Sequence, residues 1–411
     1  MEAPFRGGLA VGAAIWPDEA RVAACLMVDD LTDGWIDRDG SGEPVGANDW
    51  GAGLDKPGSS FRHLLEGLLQ DFPEVRTTLF VPVAREPDIA PARYPCHFRP
   101  IDQRPEFVRF LREVDADPRF ELVYHGRTHG MPGPTVADYV PEFSLHASVA
   151  EALTDIEAGK RIWRNVLGTD PVGGKFPAYD SGAVGEQAVD ESGFGWWCRR
   201  WDRDLSAADD PLALSPRLFG NTPVVDVPST VHGGWLTQPS LRRLPLRTIP
   251  GALRYRRILR RSLERQLDGL LACRGVVSVQ QHITSSRPDG DPQTPNLRDD
   301  APTLRRIFDR LRAERVWHAP CGEIARYWEA RQAASFRAVA RDAFLLDWTD
   351  RRERGTPLSL VLSGPTIPDR FRLVGEKDEH EACVTRRFGR NTAVLGALPL
   401  RGGRYRIDIS G

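Results

Sequence analysis

An excess of charge of either sign is missing from this chain: 55 Lys+Arg stand against 57 Asp+Glu, a formal net charge of −2. That balance argues against a nucleic-acid scaffold or a polybasic membrane binder. Long hydrophobic runs are missing too, and no stretch approaches the roughly 18 to 20 apolar residues of a membrane span. The weak apolar stretch from Gly7 to Trp16 is poor in Leu and Val, lacks a small-residue cleavage site and is closed by Pro17-Asp18-Glu19. It does not read as a signal peptide, so a cytoplasmic location is expected. The six cysteines (Cys25, Cys96, Cys198, Cys273, Cys321, Cys383) include no C-x-x-C pair. Structural zinc is therefore not expected, and reduced buried thiols are. Lysine is scarce, with only Lys56, Lys160, Lys175 and Lys377, which reads as codon bias in favour of arginine and carries no functional weight.

What is present is an ordinary globular composition: 41% hydrophobic, 27% charged, mean hydropathy −0.39. Disorder and fibre are excluded on that basis. The 411 residues have room for two or three domains. Short β-like runs alternate with helical patterns over the first 330 or so residues. The expected strands are 21–28, 76–83, 120–124, 173–179, 195–201, 224–229, 275–281 and 316–320; the expected helices are 60–71, 105–116, 145–167, 253–273 and 303–314. Such alternation predicts an α/β fold with parallel strands and helical crossovers, and seven or eight units favour a closed or partly closed TIM-like barrel over an open sheet. After the helical pattern 323–334, short runs at close spacing predict a small antiparallel β domain. The expected organisation is thus a barrel over residues 1–335 and a β-rich accessory domain over residues 340–411.

Four clusters can carry chemistry. The first expected strand ends in Asp29-Asp30, where barrel enzymes place their active sites, although Asp-Asp is also a common loop start. The third ends in Tyr124-His125-Gly126-Arg127-Thr128-His129. Two neutral imidazoles plus one carboxylate make a three-ligand site that leaves positions open, the arrangement of a catalytic divalent metal; the plainer alternative is a pair of capping or surface histidines. The fourth expected strand runs into Lys175-Phe176-Pro177-Ala178-Tyr179, where a proline ends the ladder and fixes a turn that can aim a backbone N–H into a cleft. The seventh ends in Gln280-Gln281-His282, and a histidine there can protonate a leaving amine.

Strand-end Asp-Asp, a His-x-x-x-His pair, a Pro-containing turn with Tyr and a strand-end His, in that order, resemble the polysaccharide deacetylase superfamily over about residues 20 to 330. The stretches Val28–Thr32 and Tyr124–His129 carry most of the likeness, and His-Gly in place of His-Ser/Thr resembles a little-characterised subgroup. The resemblance implies a distorted (β/α)7 barrel and a metal-dependent de-N-acetylase. It implies one divalent metal, usually zinc with cobalt, nickel or manganese as alternatives, on Asp30, His125 and His129. It further implies Asp29 as general base, the backbone N–H of Tyr179 as oxyanion donor and His282 as general acid. Two departures stand out: Lys175 is the nearest basic residue where the family has an orienting arginine, and His282 lies in a Gln-Gln-His-Ile setting.

Candidate substrate contacts are Tyr179, Lys175, Asp49 and Trp50 in the long first loop, and Trp197 in the indole-rich segment 193–201, since a pyranose offers an apolar face and a rim of hydroxyls. The leading expectation is hydrolysis of an N-acylated amino sugar in a glycan or glycoconjugate. A small non-sugar amide or imide substrate and a non-catalytic glycan-binding protein stay open beside it. No nucleic-acid or membrane partner is expected, and a homo-oligomer is left open.

Overall fold

The computed structural model of the chain describes residues 3–4, 10–37, 39–42, 50–51, 55–85, 96–97, 99–200, 214–222, 224–236, 249–285, 287, 291–340, 343–348, 358–364, 367–375, 379–388, 391–398 and 403–408. The fold is mixed α/β. Two compact units emerge, one comprising residues 24–314 with 318–322, the other residues 1–23, 315–317 and 323–411. The division is therefore discontinuous in sequence. The first 23 residues, which read as a weakly apolar lead-in, group with the C-terminal strands rather than with the segment that follows them.

The sheet that carries the candidate site is built from β1 (Val22–Asp29), β2 (Thr77–Val81), β3 (Phe120–Tyr124), β4 (Gly173–Lys175), β5 (Trp196–Cys198), β6 (Arg217–Phe219), β7 (Val224–Asp226), β8 (Val231–His232), β9 (Val276–His282) and β10 (Val316–His318). Its order is β6-β7-β5-β4-β3-β2-β1-β9-β8, with β10 also paired to β1. The neighbours β1/β2, β2/β3, β3/β4, β4/β5, β5/β7 and β8/β9 run parallel, and β6 is antiparallel to β7. All eight residues of β1 are buried, as a strand covered on both faces requires. The connections hold helices α1 (Ser60–Leu64), α2 (Pro105–Ala116), α3 (Val149–Leu167), α4 (Gly185–Glu191), α5 (Ile249–Cys273) and α6 (Ala301–Arg312). In α2, Pro105 occupies the first turn and Phe107, Phe110, Leu111 and Val114 form one buried stripe. Helix α3 is capped by the Ser148 side chain and closed by Gly168 at φ 77°. Parallel strands bring their C-terminal ends to one side of the sheet, which is where ligand sites of such sheets form.

The second unit is an antiparallel sheet of nine strands in the order Ala3–Pro4, Ala10–Ala13, Leu358–Ser363, Thr392–Leu398, Glu379–Phe388, Arg370–Gly375, Gly403–Asp408, Ala343–Trp348, Ser335–Ala340. Between residues 358 and 408 lie five of these strands, in keeping with the antiparallel β texture expected there. The strands Ala3–Pro4, Ala10–Ala13 and Ser335–Ala340 lie outside the part expected to be β-rich, the last of them where a domain boundary was expected. In this unit Trp16, 0% exposed, packs against Trp317, Tyr327 and Trp328 at centroid distances of 5.4 to 6.4 Å, so these indoles are core and not sugar platforms. Among the described residues no helix is long and apolar enough to cross a membrane.

Candidate metal and hydrolytic site

Asp29 is the last residue of β1, and Asp30 follows it with φ 69°. Neighbours on an extended strand point to opposite faces. The left-handed conformation at Asp30 breaks that alternation, and both carboxylates reach the same imidazole: Nε2 of His125 lies 3.8 Å from Asp29 Oδ2 and 3.7 Å from Asp30 Oδ1. His129 Nε2 lies 3.3 Å from Asp30 Oδ1. The donor atoms of Asp30, His125 and His129 all fall within 4.8 Å of one another, and all three residues are buried.

The hydrogen bonds around the imidazoles fix their tautomers. His125 Nδ1 is 3.0 Å from the carbonyl oxygen of Lys175, which only accepts, so Nδ1 carries the hydrogen and Nε2 keeps its lone pair. The Tyr139 hydroxyl donates to the backbone carbonyl of His129 at 2.5 Å, and its oxygen lies 2.9 Å from His129 Nδ1. It therefore accepts from Nδ1–H, which puts the lone pair of this ring on Nε2 as well. Burial above all pushes the His125 pKa down to about 4, keeping the ring neutral near pH 7.

These residues fit a divalent ion on their own chemistry. Asp30 Oδ1 is buried without a hydrogen-bond partner, and a buried polar atom left so costs about 1–3 kcal/mol. Two imidazole nitrogens and one carboxylate oxygen form a donor set suited to zinc and its neighbours. Asp30 Oδ2 is held 2.9 Å from Arg85 Nη1, a guanidinium only 7% exposed. Burial raises the Asp30 pKa, but Arg85, His129, His282 and His125 together hold it well below the usual carboxylate range.

Asp29 stands beside this cluster with a different set of partners. Its Oδ2 receives Lys175 Nζ at 2.6 Å and Gln280 Nε2 at 2.8 Å, while Oδ1 is buried without a hydrogen-bond partner. Burial works to raise this carboxyl; Lys175, then His125 and His282, outweigh it and hold the group below its ordinary value. Lys175 also donates to Gln280 Oε1, and its Nζ lies 4.1 Å from the Tyr179 ring centroid. His282, the last residue of β9, has Nδ1 2.7 Å from the Pro295 carbonyl, which leaves its Nε2 bare.

Several expected substrate contacts are placed elsewhere. Lys175 is 0% exposed and committed to Asp29, so it faces that carboxylate and not a substrate. The backbone N–H of Tyr179 donates to the Phe176 carbonyl at 3.0 Å, closing the turn, so it is not a free oxyanion donor. The Tyr179 hydroxyl instead lies 2.7 Å from Ser229 Oγ and 2.9 Å from Gln280 Oε1. Trp197 is 0% exposed and packs against Phe194, Phe176 and Phe143, which makes it core. Trp50 is described only in its backbone, paired with Ile36, and Asp49 lies outside the described residues.

Sequence reasoning missed Arg85, Gln280, Tyr139 and Glu142. For Arg85 the available signal was a charge just past a buried strand, in Phe80-Val81-Pro82-Val83-Ala84-Arg85. For Glu142 no local signal exists, because its partners lie 13 to 15 residues away.

No family model matches this chain, and no curated protein matches it. Among solved structures, it is similar to a Mycobacterium smegmatis chain assigned as a polysaccharide deacetylase (19% identity, 83% of this chain and 99% of that one, TM-score 0.47). It is also similar to a Bacillus subtilis peptidoglycan deacetylase (14%, 78% and 96%, TM-score 0.35) and to a CE4-family pseudoenzyme from Bacillus anthracis (12%, 74% and 65%, TM-score 0.35). At these identities and scores the likeness assigns no activity.

Proposed function

We propose that this chain is a metal-dependent amide hydrolase that removes an acyl group from an N-acylated amino sugar of a glycan or glycoconjugate, on a (β/α)7-type barrel. One observation carries the reading: a buried Asp-His-His cluster whose ligand atoms lie within 4.8 Å of one another, flanked by a second buried carboxylate, Asp29, that is held in its ionised form.

Asp30, His125 and His129 would hold the ion, zinc by preference, which supplies Lewis acidity to water and to the acyl carbonyl when bound. Asp29 is the base. Its Oδ2 is saturated by Lys175 and Gln280, so Oδ1 is the atom left to take a proton from the attacking water. An amine leaves poorly unless protonated, and His282, with Nδ1–H fixed on Pro295, would deliver that proton from Nε2 in its doubly protonated form, returning to the neutral ring with a lone pair on Nε2. Lys175 orients and charges the base as a point contact, where an arginine would offer a fork. Residues 340–411 act as an accessory β-rich part in this reading, and the cytoplasm is its expected location.

The test is acetate release from N-acetylated sugar oligomers by the zinc-loaded chain, with small acylated amines run in parallel. Release that disappears on chelation and returns with zinc supports the proposal. Turnover indifferent to chelation contradicts it, and turnover confined to the small amines transfers the site to a non-sugar substrate.

A further inference from the structure

Resting on that metal reading, we propose that Glu142 is the positioning residue of the metal-ligand loop: its buried carboxylate gathers the backbone of residues 127–129 and so sets where His125 and His129 present their Nε2 atoms. Glu142 is 1% exposed, and its carboxylate grips the loop through backbone N–H groups. Its Oε1 accepts from the N–H of Arg127 at 2.8 Å; its Oε2 accepts from the N–H groups of Thr128 and His129, both at 2.7 Å, and from Thr128 Oγ1 at 3.2 Å. Three successive N–H groups turned inward form an anion-binding concavity, and here the anion is part of the chain. The grip is mutual, because the N–H of Glu142 donates back to the His129 carbonyl at 3.2 Å.

The glycine between the two ligands has the same cause. Gly126 sits at φ 82°, and a Cβ on it would lie 2.7 Å from Glu142 Oε2. The His-Gly step thus makes room for the carboxylate. The ribbon pairing Gly130–Met131 with Val140–Pro141 leads the chain away from His129 and returns it with Tyr139 and Glu142 in place, one on the ring of His129 and the other on its backbone. A chain that only needed to satisfy three N–H groups could do so in water; burying a carboxylate for the purpose fixes the loop before any ion arrives.

Glu142→Gln keeps the shape but sets an amide NH2 against a backbone donor. The expected result is zinc affinity weakened about 10–100-fold in chelator competition, an altered cobalt(II) visible spectrum, and faster hydrogen exchange at amides 127–129 of the metal-free protein, with the thermal unfolding transition retained. Glu142→Asp, which keeps the charge, should recover part of the affinity, and it decides the matter if the Gln variant does not fold. Unchanged affinity, spectrum and exchange in a folded variant overturn the proposal. If wild type binds neither zinc nor cobalt, the metal reading fails, while exchange at 127–129 still decides whether Glu142 holds the loop.

Discussion

Two carboxylates adjacent in sequence are given different tasks by their neighbours. Asp30 turns Oδ1 to the imidazoles and Oδ2 to Arg85; Asp29 gives Oδ2 to Lys175 and Gln280 and keeps Oδ1 unpartnered. Asp29→Asn should therefore keep its zinc and lose about 10²–10⁴-fold in turnover, which metal analysis and rate measurement on the same preparation will show. Equal loss of zinc would mean that Asp29 is a ligand instead. Lys175 lowers the Asp29 pKa, so Lys175→Met must raise it and keep the base protonated to higher pH. The acidic limb of the kcat/KM profile should move upward in pH; an unmoved limb would detach Lys175 from the base. The Asp30, His125 and His129 cluster was legible in the sequence because strand ends and a four-residue His spacing are local. The pairing of Lys175 with Asp29 was not, since 146 residues separate them. Trp197 was misread for a related reason: an indole beside arginines looks accessible until the strand that buries it is placed.

At the scale of elements, β3 and α2 have the expected bounds because alternation and a single apolar stripe define them. Strands β4 and β5 are shorter than their apolar runs, since Pro177 ends the β4 ladder and a turn takes over. The glycines of β4 answer to packing rather than to flexibility. A Cβ on Gly174 would press on the Tyr124 carbonyl and the Trp197 ring, and one on Gly173 would press on the Trp196 indole. Gly174→Ala should cost about 1–3 kcal/mol, read as a lower urea midpoint at unchanged slope. A wild-type midpoint would show that the β4–β5 packing is looser than described. The strand Ala10–Ala13 was hidden because alanine and glycine have little β preference, and its pairing partner decides its state.

For the molecule as a whole, acid should act on stability through histidines kept neutral by burial. His318 is pushed down to about 4, chiefly by burial, against about 6.5 in an unfolded chain. Between those values the unfolded state takes up a proton that the folded state does not, so this contribution to stability is whole above pH 6.5 and is lost as pH falls towards 4. In His318→Leu that part of the slope should vanish: urea midpoints of wild type and variant should diverge progressively below pH 6.5 in the variant's favour. Parallel curves would remove His318 from the account. Asp30, His125 and His129 are proposed to bind one divalent ion, and calorimetric titration of metal-free wild type and Asp30→Ala with zinc decides whether they do. One zinc per wild-type chain, with affinity lost in a folded Asp30→Ala protein, is the predicted result; equal zinc binding by both, or none by wild type, contradicts it.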